Sequence, residues 1–268
     1  MMSLSNIFDG VTSRTLYSIS KTSFEELQAL CATDEGVLSF LNTANKSNIM
    51  DTLIALAQNA EPSHKALATQ ILCTPKVFSE LHHYEAPRLK RLVFDSYAFT
   101  REQKLKILCT DGVVWDLALY GGQADMLMNL LKGNSILDGM TLTPEERRDL
   151  LCTPNAVAGL AHRGQYERLI RFVVDGDTFT RAQKLKILCT PNAINGLLMT
   201  SLSFPHQLMR LLEGTTSLDD EPLTPQEKSQ ILNVPNVVET LSAFKSKNRV
   251  AILLAASAAP NSPASNLG

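Results

Sequence analysis

The five cysteines of this chain occupy one position of a repeated sequence: Cys31, Cys73, Cys109, Cys152 and Cys189. Each closes a short apolar run, as in Ile71-Leu72-Cys73-Thr74-Pro75 and Leu150-Leu151-Cys152-Thr153-Pro154. A sixth copy, Ile231-Leu232-Asn233-Val234-Pro235, carries asparagine at that place. Successive spacings are 42, 36, 43, 37 and 44 residues, so long and short units alternate. A period of this size predicts a stack of similar units, each too small to bury its apolar face alone and each completed by its neighbours. Such a stack needs no central core, so a length of 268 residues does not imply two compact domains.

Within each unit the helix signals recur. Thr22/Glu25, Thr100/Gln103, Thr143/Glu146, Thr180/Gln183 and Thr224/Glu227 have the spacing of a capping box, in which two first-turn N–H groups are satisfied reciprocally. Pro144 and Pro225 follow at the first helical position, where a missing N–H costs nothing. The second unit, opening near Ser63 and His64, lacks the box. Thr74-Pro75, Thr153-Pro154 and Thr190-Pro191 read as a second capped start, followed by apolar residues at helical spacing such as Val157 and Leu160 or Ile194 and Leu197. This second helix is expected to break at Tyr120-Gly121-Gly122, at His162-Arg163-Gly164 and before Pro87 and Pro205. A third helix then runs to a terminal Gly or Asp, as in Gln123 to Lys132 before Gly133 and Gln165 to Val174 before Asp175-Gly176.

Three helices in about forty residues resemble the armadillo-type repeat in architecture. The stretch from Phe99 to Thr110 recurs eighty residues later as Phe179 to Thr190, with Ala182 for Glu102 the sole change, and Leu142-Thr143-Pro144 recurs as Leu223-Thr224-Pro225. The module is therefore a pair of units. The expected fold is all-α: a right-handed α-solenoid of about six armadillo-like three-helix repeats, grouped as three double repeats. Residues 1–21 read as an N-terminal arm or cap, 22–259 as the helical repeat domain and 260–268 as a flexible tail.

Chemistry has few footholds here. A zinc site needs four ligands around one ion, usually supplied as local pairs. Equivalent cysteines lie one repeat apart, about 10 Å by helix-packing distances, and cannot share an ion. They are expected to be buried, small apolar side chains where helices meet. Gly121-Gly122 precedes a helix and has the look of a phosphate cradle, but Arg163-Gly164 and Phe204-Pro205 mark the same break, which reads as a turn. Phosphate-loop, metalloprotease, nucleophile-elbow and dinucleotide motifs are missing. The protein is expected not to be an enzyme, and no cofactor or metal is implied. Five widely spaced cysteines suit a reducing compartment. The segment Met1 to Gly10 lacks the features of a signal peptide, and the run Val250 to Ala259 is too short to span a bilayer. A cytoplasmic location is expected, with delivery of a bacterial effector into a host cell as the alternative.

Charge is patterned along the chain. Net charge is +3 over 84–110, -4 over 111–160, +3 over 161–190 and -4 over 191–240, against only -2 for the whole. Complementarity between neighbouring units explains such bands, and so does a striped surface that sets the register of an elongated partner. The expected function is a non-catalytic protein-binding scaffold that takes a protein or peptide along the repeat array. Residues at the turn between second and third helices, with basic side chains beside them, are the candidate contacts: Tyr84, Arg88, Arg91, Tyr120, His162, Arg163, Tyr166, Arg168 and Arg171. The alternative is a nucleic-acid-binding repeat protein, since Leu142-Thr143-Pro144-Glu145-Glu146 is similar to the opening of TAL-type DNA-binding repeats. Unequal units, an expected third helix and near-neutral charge oppose that reading.

Overall fold

The computed structural model describes residues 21–43, 45–95, 97–120, 123–244, 250–251 and 253, and among them it is all-helical, without a β-strand. The 260–268 tail and residues 1–20 of the expected arm lie outside the described residues. The first unit contains α1 (Lys21–Leu30), α2 (Asp34–Thr43) and α3 (Lys46–Gln58), and the second α4 (Pro62–Leu72), α5 (Val77–Lys90) and a π turn, Arg91–Asp95. The third has α6 (Arg101–Leu108), α7 (Val113–Tyr120) and α8 (Ala124–Lys132). The fourth has α9 (Pro144–Leu151), α10 (Ala156–Leu160), a π turn at Ala161–Gln165 and α11 (Tyr166–Val173). The fifth has α12 (Arg181–Leu188), α13 (Ala193–Thr200) and α14 (Phe204–Glu213), and the sixth α15 (Pro225–Leu232) and α16 (Val237–Phe244).

Four capping boxes form with both reciprocal bonds, at Thr100, Thr143, Thr180 and Thr224. The side chain of Thr22 lies outside the described residues. Helix α4 starts at Pro62 with no side-chain cap, as the missing box implies. Gly133 (φ 78°) and Gly214 (φ 74°) end α8 and α14 in the left-handed region, where a Cβ would be strained. Three of the expected breaks also occur, while Gly121-Gly122 of the fourth lies outside the described residues. Glu85 leaves helical geometry two residues before Pro87, Gly164 turns at φ 78°, and Ser201 is extended ahead of Phe204-Pro205.

The second start differs from expectation. Thr74, Thr153 and Thr190 do not cap the second helix. Their hydroxyls donate to the carbonyls of Gln70, Asp149 and Lys186 at 3.1, 3.1 and 2.9 Å, closing the first helix instead. The second helix begins two residues after each proline, behind a left-handed residue: Lys76, Asn155, Asn192 or Asn236, with Gly112 in the third unit. Asparagine tolerates that region through its short polar side chain. Here it also links units, Asn192 donating to Asn155 (2.7 Å) and Asn155 to Asp111 (3.1 Å).

Equivalent helices stack. The first helices touch in order, α4 on α6 on α9 on α12 on α15, and the second helices likewise, α2 on α5 on α7 on α10 on α13 on α16. The second row lies deepest, and every residue of α10 is buried. A Cβ on Gly159 would lie 2.6 Å from Trp115 Cα, and one on Gly196 2.5 Å from Ala158 Cα. Those glycines therefore set how closely α7, α10 and α13 approach.

The alternation in spacing has a structural cause. The two longest units end in a turn missing from the short ones, Leu137-Asp138-Gly139-Met140 and Leu218-Asp219-Asp220-Glu221, with both central residues at positive φ. Lys104 and Lys184, buried in their units, pair with Asp138 and Asp219 of these turns. Arg101 donates to the carbonyls of Leu137, Met140 and Thr141, and Arg181 to those of Leu218, Glu221 and Pro222. Each arginine also holds the capping-box glutamate of the next first helix, Arg101 to Glu146 (2.6 Å) and Arg181 to Glu227 (2.7 Å). Arg88 and Arg168 reach back to Asp51 and Asp125. At least half of each basic band is thus spent on neighbouring structure. Among the described residues, every ion pair that crosses between units stays inside one double repeat.

Two outcomes follow for stability. Gly196→Ala should cost about 1–3 kcal/mol, because overpacking forces backbone apart, read as a lower urea midpoint at unchanged slope. The Arg181 guanidinium holds the Glu227 carboxyl down at about 2. A folded-state value below the unfolded one stabilises fully above the ordinary range near ~4.3 and is lost as pH falls through the folded value. The destabilisation by Glu227→Gln should therefore be present at neutral pH and shrink between about pH 4 and 2 in parallel denaturant titrations.

Candidate functional site

The second helices repeat what they bury and vary what they expose. Their first residue is Val77, Val113, Ala156, Ala193 or Val237, and their fifth is Leu81, Leu117, Leu160, Leu197 or Leu241, all buried. Two to three residues beyond that leucine the chain emerges toward solvent and turns into the third helix. At this place stand His83 and Tyr84 in unit two, His162 and Arg163 in unit four, Met199 with the nearby Leu202 in unit five, and Phe244 in unit six. Tyr84 is 64% exposed, Met199 77%, Leu202 90% and Phe244 47%. Three of the seven exposed large apolar side chains among the described residues, Tyr84, Met199 and Phe244, thus fall at equivalent places along one row of helices, and a fourth, Leu202, follows three residues after Met199.

The side chains expected to meet a partner divide into three sets. Tyr84, His162 and Arg163 project from this row, Tyr84 edge-on to His83 (4.9 Å) and His162 beside Trp115 (6.2 Å). Arg163 also donates to the Leu119 carbonyl of the preceding unit. Arg88 and Arg168 are held by Asp51 and Glu85 and by Asp125, Gln165 and Asn129 respectively, so their first role is to tie third-helix segments together. Tyr166 is half-buried against the core, whereas Arg91 and Arg171 are exposed. The Tyr120 side chain lies outside the described residues. Met199, Leu202 and Phe244 were not among the expected contacts. Aligning the second helices on their constant leucine finds Met199 and Phe244 from sequence alone, and Leu202 three residues on.

Between α5 and α7 a cleft of about 430 Å³ is lined by Ser79, Glu80, His83, Tyr84 and Asp116. Burial pushes the Asp116 carboxyl up to about 6. The cleft offers two carboxyl groups, an imidazole and two hydroxyls, a hydrogen-bonding seat suited to a basic side chain. Burial also lowers the His82 imidazole, which stacks on Phe78 at 5.8 Å, and the neighbouring His83 adds to the effect. Among the described residues no group of three or more His, Cys, Asp or Glu side chains is gathered to hold a metal ion, and no helix is long and apolar enough to cross a membrane.

The cysteines are less uniformly covered than expected. Only Cys31 is fully buried, while Cys73, Cys109, Cys152 and Cys189 are half-buried. They sit at first-helix ends, where a threonine hydroxyl of the next unit covers three of them: Thr110 on Cys73, Thr153 on Cys109 and Thr190 on Cys152. Burial still raises all five thiols, Cys31, Cys109 and Cys189 to about 11.

No protein family, curated protein or solved structure matches this chain.

A thiol raised to about 11 carries about a hundredfold less thiolate near neutral pH than an ordinary cysteine. Iodoacetamide should therefore label native Cys109 and Cys189 slowly, with a rate that climbs as pH rises toward 11. Labelling at the rate of the denatured protein would contradict this environment.

Proposed function

We propose that the chain is a right-handed α-solenoid of six armadillo-like units and serves as a non-catalytic scaffold for another protein. The observation that carries this reading is the row of unlike exposed side chains, Tyr84, His162, Arg163, Met199 and Phe244, at equivalent places in units whose buried positions barely change, with the exposed Leu202 just beyond Met199. A stack that needed only to stand would not require large apolar groups in water there. Aromatic, methionine and arginine side chains are also the types enriched at protein interfaces. Five unpaired thiols suit action in a reducing compartment such as the cytoplasm.

The nucleic-acid alternative draws less support. Phosphate binding needs free cations, and Arg88, Arg101, Lys104, Arg168, Arg181 and Lys184 are already engaged by carboxylates. Affinity capture with the full chain, with and without nuclease, tests both. Met199→Asp with Leu202→Asp should abolish a nuclease-resistant protein partner, while stability changes by no more than about 0.5 kcal/mol, since both side chains already face solvent. An unchanged set of partners would refute the scaffold surface, and recovery abolished by nuclease would favour nucleic acid.

A further inference from the structure

The three other exposed large apolar side chains gather elsewhere, around a cleft of about 630 Å³ lined by Phe94, Tyr97, Phe99, Lys104, Ile136, Asp138 and Gly139. Tyr97 is 97% exposed and Ile136 62%, and Met140, 58% exposed, closes the same turn by exchanging backbone bonds with Leu137. We infer that this cleft is a docking pocket for a protein segment that presents one large apolar side chain close to a carboxylate. The inference rests on the protein-binding reading but concerns a different set of residues.

The chain contains its own control. The next double repeat builds the same turn, gripped by Arg181 and Lys184 as this one is by Arg101 and Lys104. Yet Val174 stands there in place of Phe94, Asp177 for Tyr97, Ser217 for Ile136, Asp220 for Gly139 and Glu221 for Met140. Polar residues therefore satisfy every structural demand of the turn, and the apolar set in the first copy serves something the scaffold does not need. A volume of this size is in the range of ligand pockets and accepts a leucine- or phenylalanine-sized group.

Charge specifies the rest of the partner. Arg91 lies one turn before Phe94, exposed and without an ion-pair partner among the described residues. Asp95 and Asp175 match in the two copies, but beside the counterpart Arg171 the second copy adds Asp177 in place of Tyr97, and the turn opposite supplies Asp220 and Glu221 in place of Gly139 and Met140. The first copy thus attracts a carboxylate beside an apolar anchor, and the second copy repels it.

The test is to pan a random-peptide display library on the full chain and measure enriched peptides by fluorescence polarisation. Enriched sequences should share a large apolar residue near Asp or Glu. Affinity should fall about tenfold or more, the scale of losing one interface anchor, in Tyr97→Asp/Ile136→Ser/Met140→Glu and in Arg91→Glu. The triple variant carries residues that the same turn already holds in the second copy, so its circular dichroism and urea midpoint should match the parent. The converse graft, Asp177→Tyr/Ser217→Ile/Glu221→Met, should strengthen binding at the second copy. Peptides that bind parent and triple variant alike, or an enriched pool rich in Lys and Arg, would overturn the inference. So would self-association of the parent that the triple variant loses, which would make a second copy the occupant. Loss of peptide binding in Met199→Asp/Leu202→Asp instead would sink the cleft and leave the helix-row reading intact. A cleft that binds beside a helix row that captures nothing would sink only the latter.

Discussion

The close approach of the second helices is the constraint on which the rest of this structure depends. With Gly159 against Trp115 and Gly196 against Ala158, the backbones of α7, α10 and α13 meet at distances no side chain would permit. A row packed so tightly cannot shift one unit without shifting the next, because interiors at this density do not deform gradually. The first and third helices then hang on that row. Its short helices are stabilised by tertiary burial, since eight residues form no lasting helix in water alone.

Polar chemistry acts on a longer period than apolar packing. Buried lysines and half-buried arginines grip the extra turn of the third and fifth units and the capping glutamate beyond it, so a helix start in one unit is fixed by a side chain from the unit before. Removing one partner would strand a buried cation, which is far more costly than never having placed the pair. The first double repeat dispenses with the device: Ser23 and Glu26 stand where the clamp residues would be, and α3 runs to Gln58 instead of ending in such a turn. The double repeat is therefore a physical unit as well as a sequence one.

Helix class, unit boundaries and most breaks were legible because each is set by a few local residues: Thr100 with Gln103, Pro144 behind Thr143, Gly133 after Lys132. The Thr-Pro pairs misled because a threonine hydroxyl serves either neighbouring helix, and the left-handed asparagine that follows decides which. Asp138-Gly139 is a recognised tight-turn dipeptide and was open to reading. The partners of Arg101 and Lys104 were not, since they lie some forty residues away and nothing local distinguishes a clamped cation from a solvated one. The same limit applies to the candidate contacts. Arg88 and Arg171 look alike in sequence, yet one is tied to Asp51 and the other faces water.

A chain that fixes its interior this firmly can vary its exposed positions freely, and the protein-binding proposal depends on that division between a constant buried row and a variable surface. Native-state hydrogen exchange tests it most directly. Amides of α7, α10 and α13 should be the most protected in the chain and should open together, near the free energy of global unfolding. Protection in α10 no greater than in the outer helices α9 and α12, or separate opening of α7 and α13, would contradict the account.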